Sequence, residues 1–236
     1  MKKLNIMSYN TLHCMDYPNR KIDFEATARV ITDFDADIAG LNEMRGEGEH
    51  RDYTAQTEKL SELTGIENYY FARAIELKAG PYGNAMLSKL PIKSAETVPV
   101  PDPRPDMMLK HGYESRCLLK AELEGGLRVL VIHFGLNRDE QENAVKTIME
   151  HIRDEKCILM GDFNVRPEDP ILAPIRARLV DTADFFDEPK YSYPSDEPRV
   201  KIDYIFVSRD IEVVSADIPA VEVSDHRPHT AQIIIK

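Results

Sequence analysis

Two side chains that can handle a water molecule stand two residues apart at the end of an apolar run. The run Ile158-Leu-Met-Gly161 leads into Asp162, and Asn164 follows after one aromatic residue. Side chains at i and i+2 of an extended chain point the same way, so a carboxylate and a carboxamide would emerge together. The carboxylate can accept a proton from water, and the amide can hold an oxygen in place. The alternative is a plain turn after a strand, because Asp and Asn are common turn residues.

The same arrangement recurs along the chain, with polar side chains following apolar stretches. These positions are Asn10, Glu43, His133, Asp162 with Asn164, Asp203, and the pair Asp225-His226. In layered α/β proteins, binding sites form where strand ends meet. The recurrence of Asp, Glu, Asn and His at such places favours one shared site over several unrelated turns.

Hydrophobic periodicity predicts the elements that must position these residues. The predicted strands are 4–10, 38–41, 69–72, 84–88, 115–123, 127–134, 157–161, 200–208, 213–219 and 230–235, and the predicted helices are 24–34, 53–64, 139–153 and 170–178. Turns are expected at Gly80-Pro81 and at Gly125-Gly126. The mixture of strands and helices predicts an α/β (α+β) fold with layered sheets.

Residues 99–112 contain four prolines, at 99, 101, 103 and 105. Proline removes a backbone donor and fixes φ, so this stretch cannot form a helix or a central strand. We expect a long loop near the site, with a plain connection as the alternative.

Length and charge limit the classes of protein. The 236 residues, 42% of them hydrophobic, suit a single domain over 1–236 with a sizeable core. Lys and Arg number 30 against 41 Asp and Glu, which gives a net charge of -11. Such a surface does not attract polyanions over long range, but it suits a site for divalent cations.

Cysteine usage and hydropathy predict a protein of the cytoplasm. The three cysteines, Cys14, Cys117 and Cys157, are widely spaced, which argues against a disulfide framework or a zinc site. Two lysines near the start are not followed by the apolar segment of a signal peptide. No run approaches the roughly 20 apolar residues of a membrane span.

Six motifs, in order, resemble those of the endonuclease/exonuclease/phosphatase superfamily. They are Ser8-Tyr-Asn10, Leu41-Asn-Glu43, His133, Gly161-Asp-Phe-Asn164, Ile202-Asp-Tyr-Ile205 and Ser224-Asp-His226. The resemblance spans nearly the whole chain. It implies a four-layered α/β sandwich, in which two central mixed sheets are flanked by helices. It also implies cleavage of phosphate esters with Mg²⁺ or Mn²⁺.

Glu43 is the strongest candidate for a metal ligand. Hard divalent cations take oxygen donors and often only one or two protein carboxylates. Asn10 can supply a neutral oxygen to the same ion or cap a turn, and Asp225 can complete the metal shell or bind a second ion. One metal or two remains open.

The catalytic roles follow from chemistry and agree with what the resemblance implies. Asp162 would align and deprotonate the attacking water, and Asn164 would orient that water or the phosphate. His226 would donate to a non-bridging phosphoryl oxygen, where charge grows in the transition state. Asp203 would accept from the other ring nitrogen of His226 and so fix its tautomer.

His133 comes directly after the apolar stretch Val129–Ile132 of a predicted strand. In the superfamily, a histidine here characterises the phosphatase, sphingomyelinase, deadenylase and non-specific nuclease branches, whereas abasic-site repair enzymes tend to carry tyrosine. His133 could bind phosphate or protonate the leaving oxygen. Arg116 is a candidate phosphate clamp because guanidinium is a fork-shaped donor, the alternative being a surface arginine. Asn84 is a further candidate for the substrate phosphate or for support of the site.

The function predicted from these residues is hydrolysis of a phosphate ester, either a phosphomonoester or a phosphodiester, by metal-assisted in-line attack of water with Mg²⁺ (or Mn²⁺). We expect the substrate to be small. The alternatives are a nuclease that acts on DNA or RNA with the same core, and a binding module without catalysis on the same fold. We expect no strong non-specific binding of duplex DNA and no membrane insertion, and the oligomeric state stays open.

Overall fold

Two six-stranded mixed sheets form the centre of the computed structural model, which describes residues 1–103 and 112–235. Residues 104–111, most of the proline-rich loop predicted over 99–112, lie outside these ranges. The strands are β1 Lys2–Asn10, β2 Met15–Asp16, β3 Lys21–Ile22, β4 Ile38–Arg45, β5 Asn68–Leu77, β6 Gly80–Ser88, β7 Ile92–Pro99, β8 Cys117–Leu123, β9 Arg128–His133, β10 Cys157–Asp162, β11 Leu179–Asp181, β12 Asp203–Ser208, β13 Glu212–Asp217 and β14 His229–Ile235. The α-helices are α1 Phe24–Asp33, α2 Gln56–Thr64, α3 Arg138–His151 and α4 Ala173–Arg178.

Each large sheet has one parallel pair of strands at its centre. The first sheet runs β13-β14-β1-β4-β6-β5, and β1 lies parallel to β4. The second runs β11-β12-β10-β9-β8-β7, and β9 lies parallel to β10. Parallel neighbours need a crossover connection, and here α1 and α3 lie in those crossovers. Both strands of each pair therefore end at the same edge of their sheet.

The two sheets pack face to face, and helices cover their outer faces. Along β1, Ile6 lies in the core between the sheets, whereas Met7 packs in the outer core with α1 and α2. Along β10, Ile158 faces the inner core and Leu159 faces the outer core with α3 and α4. Burying one such side chain fully contributes about 1.5–3 kcal/mol. Helix, sheet, sheet and helix thus form the four layers that were predicted.

Three local expectations were wrong or incomplete. The sequence analysis predicted no strand where β7 lies. β7 is an edge strand that ends at Pro99, and all its residues are half-buried or exposed. The turn predicted at Gly80-Pro81 lies at residues 78–79, because Gly80 pairs with Leu77 inside the hairpin. The strand predicted over 200–208 begins at Asp203, because Val200 pairs with Tyr193 instead.

No helix within 1–103 and 112–235 is long and apolar enough to cross a membrane.

Candidate active site

The ends of the two parallel pairs bring four of the predicted residues together. Asn10 ends β1, His133 ends β9 and Asp162 ends β10, while Glu43 lies near the end of β4. The amide nitrogen of Asn10 donates to Glu43 Oε1 at 3.1 Å and to Asp162 Oδ2 at 3.1 Å. One amide therefore connects the carboxylates of both sheets.

Asn42 joins the two sheets beneath these carboxylates. Its Nδ2 donates to Ile132 O at 2.9 Å and to Asn84 Oδ1 at 2.8 Å, and its Oδ1 accepts from the backbone N–H of Asp162 at 2.9 Å. Sequence reasoning gave Asn42 no role. The available clue was that Asn42 comes four residues after the inward-facing Ile38, because residues at even spacing along a strand share a face.

Asp203 and His226 form the buried hydrogen bond that was predicted. His226 Nδ1 lies 2.8 Å from Asp203 Oδ2, and its Nε2 lies 3.7 Å from Asp162 Oδ2. Asp203 starts β12, directly opposite Asp162 of β10. Burial alone would lower the pKa of His226, but the charges of Asp203 and Asp162 outweigh it and raise that pKa to about 10. His226 is therefore an imidazolium near neutral pH.

Asp162 sits between the two histidines and is fully buried. Burial raises its pKa to about 7, against the opposing effect of His226. Its Oδ1 accepts from the backbone N–H of Asn164, whose left-handed φ of 51° turns the chain back toward the carboxylate. The side-chain Nδ2 of Asn164 donates to Phe134 O at 3.1 Å.

Glu43 occupies a strained position at an irregularity in the pairing of β4 with β6. Its φ is 62°, a region that residues with a Cβ seldom adopt. Burial opposes the charged form of Glu43, but the neighbouring His13 and Asn10 favour it, and the pKa is lowered to about 2. The carboxylate is thus ionised at neutral pH, and its side chain is 22% exposed.

The surroundings of Glu43 fit a hard cation. Burial raises the pKa of Asp225, His226 lowers it, and the nearby charge of Glu43 raises it again. Both carboxylates could serve as oxygen ligands of a divalent ion, whose charge would relieve their repulsion. Asn10 turns its nitrogen toward Glu43 while its Oδ1 accepts from Leu12 N, so its amide would have to rotate to serve as a ligand.

A second group of donor atoms lies alongside. One atom each of Asp162, Asp203 and His226 fall within 4.8 Å of one another and form a candidate metal site. Here the Nδ1 of His226 is already hydrogen bonded to Asp203. An ion at that nitrogen would have to displace the proton, so the oxygens near Glu43 suit Mg²⁺ better.

The two residues predicted to bind the substrate phosphate lie in different parts of the site. Arg116, just before β8, places NH1 3.2 Å from His133 Nδ1 and NH2 3.0 Å from Glu114 Oε2. Asn84 is buried, and its Nδ2 donates to Cys117 O at 3.0 Å while its Oδ1 accepts from Asn42. Asn84 thus lies beneath the site and holds Asn42, whereas Arg116 lies at its side.

Besides Asn42, three further residues described at the site had no role in the sequence-based prediction. The Nδ1 of His13 lies 3.9 Å from Glu43 Oε2. Burial, followed by the charges of Glu43 and Glu114, raises the pKa of Tyr82 well above its usual value. The ring of Tyr193 lies 4.8 Å from that of His226 and is 38% exposed. Tyr82 shares a strand face with Asn84, but no comparable pattern marked His13 or Tyr193.

Comparisons with known proteins agree with this geometry. A family model described as "Endonuclease/Exonuclease/phosphatase family" matches residues 7–226. No curated protein sequence matches the chain.

Several solved structures share the fold. The endonuclease/exonuclease/phosphatase of Beutenbergia cavernae DSM 12333 is 21% identical with a TM-score of 0.79, over 100% of this chain and 72% of that one. The one of Bacteroides vulgatus is 19% identical with a TM-score of 0.78, over 100% of both chains. The mannosyl-6-phosphatase of Bacteroides thetaiotaomicron VPI-5482 is 16% identical with a TM-score of 0.77, over 98% of this chain and 100% of that one.

Proposed function

The chain belongs to the endonuclease/exonuclease/phosphatase family, and we propose that it is a divalent-metal-dependent hydrolase of small phosphate esters. The observation that carries the proposal is the buried series Asp203–His226–Asp162 beside the ionised Glu43. It combines a proton acceptor, a cationic donor and a metal-binding carboxylate at one edge.

Asp162 is the group that takes the proton of the attacking water. A general base works best when its pKa lies near the working pH, and burial raises the pKa of Asp162 to about 7. As the water oxygen bonds to phosphorus, its proton passes to Asp162. The P–O bond to the leaving alkoxide breaks, and the alkoxide takes a proton from solvent.

His226 stabilises the charge that grows on the phosphoryl oxygens. As an imidazolium, it donates from Nε2, while Asp203 holds Nδ1. A donor that is fixed before the reaction needs no reorganisation in the transition state. Asn164, turned back toward Asp162, would orient the water or the phosphate.

Glu43, Asp225 and, after rotation of its amide, Asn10 would hold Mg²⁺ or Mn²⁺. When bound, such an ion supplies Lewis-acid stabilisation of phosphoryl charge and lowers the pKa of a bound water. The ionised state of Glu43 and the raised pKa of Asp225 support this placement.

A small substrate is favoured over a polymer. The net charge of -11 opposes the approach of polyanions. One protein of similar fold is named a mannosyl-6-phosphatase, which supports testing sugar phosphates first. We place the protein in the cytoplasm, because Cys14, Cys117 and Cys157 are all free and buried.

The test is a screen of phosphate esters with Mg²⁺, with Mn²⁺ and with EDTA. The panel holds a bis-aryl phosphate, sugar phosphates, phosphoinositides, DNA and RNA. We expect metal-dependent hydrolysis of a small ester that is lost in Asp162→Asn. A folded protein that hydrolyses nothing in the panel would favour a binding module, and hydrolysis of nucleic acid alone would favour a nuclease.

A further inference from the structure

His133 has a hydrogen-bond donor close to each ring nitrogen. Arg116 NH1 lies 3.2 Å from Nδ1, and Asn164 Nδ2 lies 3.2 Å from Nε2. A neutral imidazole has one nitrogen that donates and one that accepts. Only one of these two neighbours can therefore donate to the ring.

The chemistry of guanidinium decides which one. Arginine stays charged and has no acceptor, so Arg116 can only donate, and Nδ1 of His133 must be the unprotonated nitrogen. The ring proton then sits on Nε2. Asn164 Nδ2 has another acceptor in Phe134 O at 3.1 Å, and Asp162 Oδ2 lies 3.5 Å from Nε2.

The guanidinium of Arg116 is held firmly in this orientation. Its side chain is only 10% exposed, and NH2 is paired with Glu114 Oε2 at 3.0 Å. The backbone N–H of Glu114 in turn donates to Glu140 Oε1 at 3.1 Å, and Glu140 forms the capping box at the start of α3 with Asn137. Arg116 is thus fixed through a helix of the outer layer.

The ionisation of His133 agrees with its hydrogen bonds. Burial, followed by the positive charge of Arg116, lowers the pKa of His133 well below its usual value, against the opposing effect of Glu43. The ring is therefore neutral, in contrast to His226.

We propose that Arg116 is a positioning residue that holds His133 as the neutral Nε2–H tautomer, so that His133 donates a hydrogen bond to a phosphoryl oxygen and does not act as the general acid. The phosphoryl part rests on the proposed function. The assignment of the tautomer rests on the contacts of Arg116 and not on the proposed function. The sequence left two roles open for His133, phosphate binding and protonation of the leaving oxygen. The proposal assigns it phosphate binding.

The tautomer can be measured directly by nitrogen NMR of protein labelled with ¹⁵N-histidine, recorded with Mg²⁺. The chain has 7 histidines, and the signals of His133 are identified by their loss in His133→Asn. In wild type we expect proton coupling at Nε2 and an unprotonated Nδ1. In Arg116→Met the Nδ1–H form should appear, because the donor that keeps Nδ1 unprotonated has been removed.

Kinetics separates a positioning role from a phosphate clamp. Arg116→Met should lower kcat by about 10–100-fold, as loss of a supporting partner commonly does. KM should change little, because the hydrogen bond from His133 strengthens as charge grows on the phosphoryl oxygen in the transition state. Arg116→Lys should restore the tautomer and much of kcat, because ammonium is also a donor without an acceptor. Arg73→Met, at an exposed arginine paired with Glu76, is the matched control for loss of one charge and should behave as wild type.

The proposal is overturned if the wild-type ring carries its proton on Nδ1 or on both nitrogens. It is equally overturned if Arg116→Met leaves the tautomer unchanged, and a rise in KM in that variant would then make Arg116 a phosphate clamp. Should Arg116→Met not fold, Arg116→Lys replaces it, and a Nδ1–H signal in that variant contradicts the proposal. A wild-type protein that hydrolyses no ester would refute the proposed function alone, because the NMR result does not depend on activity.

Discussion

Two histidines in one site differ in charge, His226 being cationic and His133 neutral, because different side chains surround them. His226 faces Asp203 and Asp162, which raise its pKa to about 10 after the opposing effect of burial. His133 is buried beside Arg116, and both influences lower its pKa. The residue type alone does not define a role, since a carboxylate favours imidazolium and a guanidinium disfavours it. The pair thus provides one charged and one neutral donor.

Asp203→Asn should reduce turnover by orders of magnitude. The amide cannot balance the imidazolium charge, and a comparable change in a serine-protease triad costs about 10⁴ in rate. We expect a smaller loss here, because the proposed metal ion would share the stabilisation of charge. The wild-type pKa of His226 is raised to about 10, so its donor form persists to alkaline pH. In the variant that pKa falls, and activity should decline at a lower pH.

The measurement is a pH–rate profile of both proteins, with the exposed Asp196→Asn as control. A profile for Asp203→Asn with the wild-type shape would argue against the pairing of Asp203 with His226.

Glu43→Ala should abolish most activity and weaken Mg²⁺ binding while the protein stays folded. The reason is that Glu43 is ionised and partly exposed, and its charge raises the pKa of Asp225. Titration calorimetry with Mg²⁺ measures the affinity, and circular dichroism checks the fold. Glu47→Ala removes an exposed carboxylate from the following loop and should leave both unchanged. Wild-type affinity and rate in Glu43→Ala would remove Glu43 from the site.

The two parallel strand pairs determine where the site forms, at the scale of elements. β1 with β4 and β9 with β10 end at facing edges, and Asn42 of β4 bonds to Ile132 O and Asp162 N across the sheets. The close approach of β9 to Gly161 of β10 depends on glycine, because an added Cβ would lie 1.8 Å from Ile132 O. The φ of Gly161, 147°, also favours glycine.

Gly161→Ala should therefore destabilise the protein by about 3 kcal/mol or more, because a backbone clash adds to backbone strain. Gly125→Ala is the matched control. Its φ is 80°, but no atom lies within 4 Å of the added Cβ, so only strain of about 1 kcal/mol applies. Urea unfolding of both variants measures the difference. Equal losses would mean that the contact of β9 with β10 adjusts freely.

At the scale of the whole molecule, the charge is unfavourable for nucleic acids. Three cations in the described part of the chain already have partners. Arg116 pairs with Glu114, Arg199 pairs with Glu197, and Lys201 is buried against the ring of Tyr204. Arg104 and Lys110, which belong to the proline-rich stretch 99–112, lie outside the described residues.

We predict that the protein does not bind duplex DNA strongly without regard to sequence. Proteins that make six to ten phosphate contacts lose about 10³–10⁵ in affinity between 50 and 200 mM salt. Activity on the true substrate should fall far less over that range. Fluorescence binding to random-sequence duplex in Ca²⁺, across salt, is the measurement. Sub-micromolar binding at about 150 mM salt, with a steep salt slope, would identify a nuclease instead.

The sequence alone determined the family, the layered fold and the strand-end positions of Asn10, His133 and Asp162. Asp203 instead starts β12, and Asp225 and His226 lie in the loop before β14. The apolar periodicity of β1, β9 and β10 and the six ordered motifs were sufficient, and both family and fold are confirmed. These features are local, since alternation along one strand and the residues at its end are visible in a few consecutive positions. The same reasoning did not find β7, because none of its residues is buried and its apolar pattern is weak.

The tertiary structure decided which side chains are partners. Asn10 and Asp162 are 152 positions apart, yet one hydrogen bond joins them. The contact of Arg116 with His133, the support of Asn42 by Asn84, and the ring of Tyr193 beside His226 have no local signature. Such contacts depend on strand register and on how two sheets pack, because a shift of one residue turns every side chain of a strand to the other face.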